Sequence, residues 1–447
     1  MDSNNKKTSV FDSNKLSSTL LFMWLSLIFV LTGVRFVLSR IGLYSGIARE
    51  IILWLTASIP LIIFFANIRK IEIKKYFNFF ILILIVFVAM TVSILFNPDL
   101  IEFYFRKNYG IDRILRPDSA IFAFLFFQLF DDQKEILDVL LKFSILYFLF
   151  LILVELVPAI VRGFWLDIGP NGEMIKLSYS LSFGYNMTFP TIMFIYNFGI
   201  KGKKIYLFLA ILGCSIIFLH GNRGAILVTF LYICLMFLSL SMRYTLSKKL
   251  ILIISLSLIA GILIYYYEPL INYLTRVLSK KNIISRNFEL LLSGDISNNN
   301  GRYVIWNTVV EAIKNGPLLG YGILGDRPFI YPIHYVGYSH NIVLEMIVSF
   351  GLLGFLIILY MIVDSIYMIF FCKDRHTKDL FIILFSISSQ LFLSMSFWYV
   401  WGFWATFAVS CNYKRIRRKN CNNDLKKRLN DNEEICNKIK NRSVINC

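Results

Sequence analysis

Long, uninterrupted apolar runs constrain this chain more than any other feature of its 447 residues. Many of the runs approach the roughly 20 residues that a helix needs to cross a bilayer. They do not alternate between apolar and polar residues over about ten positions, as the strands of a membrane barrel do. Only 17% of the residues are charged, whereas soluble domains have about 25%. The sequence therefore predicts an all-α integral membrane protein.

We predict about twelve transmembrane helices, of which the fourth and twelfth are short. They cover residues 17–39, 47–68, 77–97, 117–130, 136–160, 178–200, 203–221, 223–241, 248–268, 340–371, 379–395 and 397–411. The first lacks a small-residue cleavage site after it, so we interpret it as a retained anchor rather than a removed signal peptide. The chain then divides into helices 1–9 (residues 1–268), a large external loop (269–339), helices 10–12 (340–411) and a tail (412–447).

The distribution of Lys and Arg predicts the orientation, because short positive loops stay in the cytoplasm. Compact basic loops at 69–75, 201–204, 242–249 and 373–378 fall on one side if both termini are cytoplasmic. The tail agrees, with eleven Lys or Arg against four Asp or Glu. These segments explain much of the formal net charge of +18. We interpret that charge as topology and attraction to anionic lipid head groups, not as nucleic-acid binding.

Several function classes are excluded by what the sequence lacks. It has no P-loop, no GxGxxG after a strand and no large cytoplasmic domain, so an ATP-driven pump is not predicted. No CxxC pair suggests a metal site, and no cysteine falls in a predicted external loop. His334 and His340 lie six positions apart but lack further good zinc ligands nearby. We predict neither a metal nor a cofactor, and any chemistry must use a substrate that arrives already activated.

The external loop contains GRYVIWNTVVEAIKNGPLLGYGILG, which predicts a short amphipathic helix. Apolar residues recur near helical spacing at Ile305, Trp306, Val309, Val310 and Ile313. Pro317, Gly320 and Gly322 then end the helix. We expect it on the membrane face of the loop, and spacing alone favours a simple lid or packing helix.

Three polar residues stand at the predicted outer face. Arg223 begins the eighth span, Arg302 begins the loop helix, and His340 begins the tenth span. Each has a plainer interpretation: Arg223 as an interfacial anchor, and His340 as a polar helix cap, although Asn341 or Ser339 would cap at least as well.

A functional interpretation follows from the chemistry of these side chains. Helix N-termini favour anions, and the planar fork of arginine matches phosphate oxygens. Histidine accepts a proton near neutral pH. Arg223 and Arg302 would hold a pyrophosphate, and His340 would act as a base toward a hydroxyl. Their convergence is a hypothesis, since none is close to another in sequence.

Three segments resemble the O-antigen ligase and O-antigen polymerase superfamily of bacterial envelope enzymes. They are HGNRGAIL at 220–227, GRYVIW followed by NGPLLGYGILG, and HNIVLEMIVSFGLLG at 340–354. The resemblance covers about 220–355, and the rest matches only as generic hydrophobic spans. One departure is Ser349, which stands where many relatives carry an acidic residue. Glu345 lies one turn earlier, and we assign it no catalytic role.

The resemblance implies a GT-C-like, metal-independent, inverting glycosyltransferase that uses glycan linked to undecaprenyl pyrophosphate. It implies pyrophosphate binding by Arg223 and Arg302 and activation of the acceptor by His340. We expect His220, Tyr338 and Asn341 to line the site. The implied location is a bacterial cytoplasmic membrane, with the site facing the exterior. A flippase and a chain-length regulator are further candidate partners.

Three functions remain open at this stage. The first is a polysaccharide repeat-unit polymerase, which an Ile-, Asn-, Lys- and Phe-rich composition favours by association. The second is a ligase that moves the finished glycan to lipid A–core. The third is a transporter of lipid-linked glycan, although the notable charges cluster at one predicted face and we detect no internal repeat.

Overall fold

Helices make up nearly all the regular structure in the computed structural model of the protein. It describes residues 2–43, 46–106, 110–168, 174–177, 180–220, 222–241, 250, 301–334 and 337–421. The longer helices are Asp2–Arg40, Ile47–Ala66, Phe77–Phe96, Gln133–Phe150, Leu181–Lys201, Lys204–His220, Arg223–Ser241, Arg302–Asn315, Ile342–Ile366, Arg375–Ser388 and residues 401–421. Short helices are Ile101–Tyr104, Ile111–Leu115, Phe122–Gln128, Val157–Arg162 and Arg327–Ile330.

The remaining described elements are small. Leu151–Leu156 and Tyr367–Phe371 are π-helical, and Ile68–Lys70, Ile73–Lys75, Pro98–Leu100, Ser389–Phe392 and Phe397–Tyr399 are 3₁₀ turns. An antiparallel hairpin pairs Trp165–Ile168 with Met174–Leu177.

Five helical stretches are long and apolar enough to cross a membrane. They are Asn14–Arg40, Ile47–Ala66, Phe77–Phe96, Gln133–Arg162 and Ile342–Phe371, with shorter apolar helices at Lys204–His220 and Arg223–Ser239. The predicted all-α membrane class is therefore confirmed. The count of twelve spans and the cytoplasmic placement of both termini stay predictions. Apart from position 250, the ninth predicted span lies outside the described residues.

The predicted fourth span differs from the structure. Residues 117–130 are α-helical only over Phe122–Gln128, a stretch that is entirely buried. Seven residues rise only about 10 Å, too little to cross a bilayer. Trp24 of the first helix stacks on Phe126, with ring centroids 5.7 Å apart, and Asn412 donates to the carbonyl of Phe127 at 2.9 Å. The segment is apolar because it is enclosed by the helix Asp2–Arg40 and the helix 401–421.

The long helix that starts at Ile342 is broken at Gly351, whose backbone (φ 55°, ψ −130°) is not helical. Such a break frees backbone groups that need partners within the protein. The segment 317–325 supplies them. Three backbone hydrogen bonds form at the break, from Tyr321 N to Val348 O (2.9 Å), Gly322 N to Ser349 O (2.8 Å) and Leu352 N to Leu318 O (2.9 Å). Since the break lies about 14 Å along the helix at 1.5 Å per residue, the loop reaches well down its side.

Replacing Gly351 with alanine is expected to destabilise the protein, because the added methyl group would overlap the carbonyl oxygen of Leu318. The positive φ adds strain of about 1–3 kcal/mol. Gly33→Ala is the matched control, since a methyl group there meets nothing within 4 Å. Thermal unfolding in detergent should show a lower midpoint for Gly351→Ala only. Equal midpoints for both variants would contradict the close packing described here.

Candidate active site

Asn341, and not His340, caps the helix that begins at Ile342. Its extended backbone (φ −153°) lets its Oδ1 accept from the amides of Val343 at 2.9 Å and Leu344 at 3.3 Å. These bonds satisfy amides that have no partner within the helix. The helix therefore does not use His340 as its cap, and the presence of a histidine at this position needs another explanation.

His340 has an unusual backbone and an enclosed ring. Its φ is 52°, a left-handed conformation that is uncommon for a residue other than glycine. Only 7% of the residue is exposed, and its ring lies 4.4 Å from that of Tyr338 and 5.6 Å from that of His334. Among the described residues, no group hydrogen-bonds to its buried Nδ1. Strain combined with an unfilled buried nitrogen is typical of a functional position.

The pKa of His340 is lowered to about 3, mainly by burial and then by the electrostatic influence of Arg302, His334 and Arg327, in that order. The ordinary histidine pKa is near 6.5. The ring is therefore neutral at pH 7 and can accept a proton, although weakly while the guanidinium groups of Arg302 and Arg327 act on it. An anion bound among them would oppose their field and raise the pKa of His340.

The helix Arg302–Asn315, which we call the loop helix, brings Arg302 to His340. Trp306 donates its Nε1–H to the carbonyl of Ser339 at 3.1 Å, directly before His340. Arg302 lies one turn before Trp306 and so shares its helix face. Its charge acts on His340. The structure thus unites two of the three residues singled out from the sequence.

Apolar packing holds the loop helix in place. Its buried residues Ile305, Val309 and Ala312 form a cluster with Ile330 and Val348. The helical spacing predicted from the sequence is confirmed, and its apolar side meets protein at Val348 of the long broken helix.

Arg223 starts a helix that is anchored by its neighbour Asn222. Asn222 is buried, accepts from the amide of Ala225 at 3.2 Å and donates to the carbonyl of Leu181 at 2.9 Å. The Nε2 atom of His220 lies 2.6 Å from the carbonyl oxygen of Ser180. These contacts hold the start of the Arg223 helix against the start of the helix Leu181–Lys201.

Helix packing places Arg223 at the same end of the bundle as Asn341. Tyr232 and Met236, farther along the Arg223 helix, share a small cavity with Arg375 and Asp379. Those two residues lie at the start of the helix Arg375–Ser388, so the two helices run antiparallel. Arg223 therefore lies toward the other end, where the Asn341 side chain contacts the carbonyl of Phe392 at 3.5 Å. Direct convergence of Arg223 with Arg302 and His340 stays a prediction.

Sequence reasoning missed a buried charge cluster behind His340, formed by Asp326, Arg327 and Glu345. Arg327 is 3% exposed and contacts Asp326 at 2.8 Å and Glu345 at 3.5 Å. Asp326 accepts from both the amide (2.9 Å) and the hydroxyl (2.6 Å) of Ser339. Ser396 donates to Glu345 at 2.5 Å. The cluster therefore holds the residue that precedes His340.

The charge state of Arg327 follows from its partners. Burial alone would lower the pKa of Arg327, but Asp326, Tyr399 and Glu345 outweigh it and raise the pKa. Its guanidinium lies 5.5 Å from the centroid of the Tyr338 ring, which in turn contacts His340. In the sequence, the only indication of this cluster is the adjacent pair of opposite charges, Asp326 and Arg327, in ILGDRP. Nothing in the sequence links that pair to Glu345.

Ser349, the position that departs from the pattern expected of the resemblance, and the nearby Glu345 have different surroundings. Ser349 is 2% exposed, and its carbonyl accepts from Gly322 at the helix break. Glu345 is 1% exposed and belongs to the buried charge cluster. No group of three or more His, Cys, Asp or Glu side chains suited to a metal ion occurs among the described residues.

Residues 208–359 match the family model described as O-antigen ligase. The match contains all three motifs that suggested this resemblance, which is therefore confirmed. It also contains Arg302, Arg327, His340 and Glu345. No curated protein and no solved structure is detectably similar to the chain.

Proposed function

We propose, on the premise that residues 208–359 place this chain in the O-antigen ligase and polymerase superfamily, that the protein is a polysaccharide repeat-unit polymerase. The match to this superfamily supports an enzymatic function of the ligase or polymerase type. The proposed reaction moves a growing glycan from undecaprenyl pyrophosphate onto a hydroxyl of a newly delivered lipid-linked repeat. It takes place at the outer face of the cytoplasmic membrane.

The setting of His340 carries this proposal. Asn341 caps the helix in its place, and the ring of His340 keeps a buried nitrogen without a hydrogen-bond partner among the described residues. The charge of Arg302 acts on it. A neutral imidazole beside a guanidinium suits a reaction in which a hydroxyl loses a proton while an anionic group is held nearby.

In the proposed step, Arg302 and Arg223 hold the pyrophosphate and neutralise its charge as it leaves. The acceptor oxygen forms a bond to the anomeric carbon while the bond from that carbon to the phosphate oxygen breaks. The electron pair departs with undecaprenyl pyrophosphate, and His340 takes the hydroxyl proton. Direct displacement of this kind inverts the anomeric centre.

Donor binding would also strengthen the base. Burial is the largest cause of the low pKa of His340, and Arg302 is the next. A bound pyrophosphate would counter the charge of Arg302 and raise the pKa of His340 toward its ordinary range. We infer that His340 becomes an effective base when the donor is bound. The acceptor hydroxyl is then not activated before a glycan is present for transfer.

Reconstitution with purified lipid-linked repeat separates the candidate functions. Elongated lipid-linked product would support the polymerase. Transfer only to lipid A–core would support a ligase instead. Movement of lipid-linked repeat across vesicles without any new glycosidic bond would support the transporter. The buried cluster and His340 provide the reason to expect chemistry.

Replacing Arg223 or Arg302 with lysine is expected to impair transfer. Lysine keeps the charge but loses the two-pronged contact to phosphate. Loss of one hydrogen bond to a charged group costs about 1.5–3 kcal/mol, so kcat/KM for the donor should fall roughly 10-fold to 100-fold. Arg69→Lys is the matched control, because Arg69 is exposed in the short turn Ile68–Lys70. Parent-like kcat/KM in both site variants would remove the proposed pyrophosphate contacts.

A further inference from the structure

Four arginines gather where the first two helices meet the segment 110–118. We call them the arginine cluster: Arg35, Arg49, Arg113 and Arg116. Arg35 lies near the end of the first long helix, and Arg49 lies near the start of the second. Arg35 experiences the charges of the other three, with Asp118 among them. The cluster is therefore an assembly of like charges contributed by three separate parts of the chain.

Only one of the four arginines has a carboxylate partner among the described contacts. Arg116 is 8% exposed and is held by Asp118 through two bonds of 2.5 and 2.8 Å. Among the described residues, the guanidinium groups of Arg35, Arg49 and Arg113 have no hydrogen-bond acceptor or ion-pair partner.

Two further carboxylates lie in the neighbourhood, Glu50 and Asp112, and both act on Arg116. They moderate the charge of the cluster without forming a described bond to Arg35, Arg49 or Arg113. Guanidinium groups assembled without acceptors favour a phosphate-like anion, because each offers a planar pair of donors.

A short aromatic path connects the arginine cluster to His340. The guanidinium of Arg113 lies 5.7 Å from the centroid of the Tyr399 ring. Tyr399 lies 6.2 Å from Tyr338, and Tyr338 lies 4.4 Å from His340. Tyr338 is only 7% exposed, so these rings show that the arginine cluster and His340 lie in the same part of the protein, as one acceptor that contacts both requires.

We propose that the arginine cluster binds the pyrophosphate of the acceptor, which gives the enzyme two separate sites for lipid pyrophosphate. This inference rests on the proposed polymerase function. Both substrates of a polymerase carry a pyrophosphate, and the acceptor reacts through a hydroxyl at the opposite end of its glycan. Its pyrophosphate therefore needs a second cationic site that is separated from the donor site and connected to His340. The acceptor of a ligase carries no undecaprenyl pyrophosphate and needs no such site.

The test compares three acceptors that share one glycan: the repeat on lipid pyrophosphate, on lipid monophosphate, and on a neutral lipid. The purified full-length protein is assayed in phosphatidylcholine vesicles, with and without phosphatidylglycerol. The variant Arg35→Gln/Arg113→Gln is compared with the parent. Arg162→Gln is the control, because Arg162 is an exposed arginine whose Nε donates to the carbonyl of Pro158 at 3.0 Å.

We expect the double variant to raise KM for the pyrophosphate acceptor about 10-fold to 100-fold, as the loss of hydrogen bonds to a charged group predicts. KM for the neutral acceptor and KM for the donor should stay within about twofold of the parent. Arg35→Lys/Arg113→Lys should recover part of the loss, because lysine retains the charge. Thermal unfolding midpoints equal to the parent would show that the variants fold.

Two results would overturn the proposal. One is an unchanged KM for the pyrophosphate acceptor. The other is a loss that is equal for all three acceptors and depends on phosphatidylglycerol, since that would assign the arginine cluster to phospholipid head groups. If the variants do not fold, binding of the pyrophosphate acceptor to the parent protein is measured in competition with inorganic pyrophosphate. Two binding events would support two sites, and a single binding event would overturn the proposal. Failure of the parent to elongate any acceptor would instead remove the polymerase function.

Discussion

Replacing His340 is expected to lower transfer by about 10²–10⁴-fold, the range that a positioned general base contributes. His340→Ala removes the base but also places an ordinary residue in a left-handed conformation. His340→Asn is the sharper variant, because asparagine tolerates positive φ and cannot accept the proton. Both proteins should insert into membranes and accumulate normally. The measurement is the rate and chain-length distribution of lipid-linked product.

The control for this result is His376→Ala. His376 belongs to the basic segment 373–378, at the start of the helix Arg375–Ser388, and has no role in the proposed chemistry. Its product should match that of the parent. Comparable chain lengths from His340→Asn and the parent would rule out a catalytic role for His340.

Replacing Arg327 with methionine is expected to destabilise the protein by about 3–5 kcal/mol, the cost of removing one partner from a buried ion pair. The change leaves the carboxylates of Asp326 and Glu345 buried, at 0% and 1% exposure, without their cation. Asp326 also holds Ser339, so the left-handed turn at His340 should loosen. Thermal unfolding in detergent and transfer activity provide the two measurements.

A compensated variant distinguishes charge from packing. Adding Asp326→Asn and Glu345→Gln to Arg327→Met removes the buried charges together, and the lost stability should largely return. Activity should stay low, because an amide at position 326 holds Ser339 less strongly than a carboxylate. A single variant as stable as the parent would show that the cluster does not support this part of the fold.

The sequence was sufficient for features that depend on local composition and spacing. Apolar length predicts helices that can span a membrane, since a helix satisfies its own backbone in lipid. Helical spacing at Ile305 and Val309 predicts the loop helix. Motif chemistry singled out Arg302 and His340, which the structure brings together. By contrast, the apolar run at 117–130 looked like a span, because composition cannot distinguish contact with lipid from contact with other helices.

Long-range contacts account for what the sequence could not supply. The bond between Trp306 and Ser339, the docking of segment 317–325 at Gly351, and the pairing of Arg327 with Glu345 each join distant parts of the chain. The sequence by itself determined the membrane class, the helices and the chemical types of the site residues, because these follow from hydrophobicity and side-chain chemistry. Only the tertiary structure decided that Asn341 caps the helix while His340 stays available as a base. That outcome depends on three distant groups around the turn at His340: the buried carboxylate of Asp326, the indole of Trp306 and the helix that is broken at Gly351.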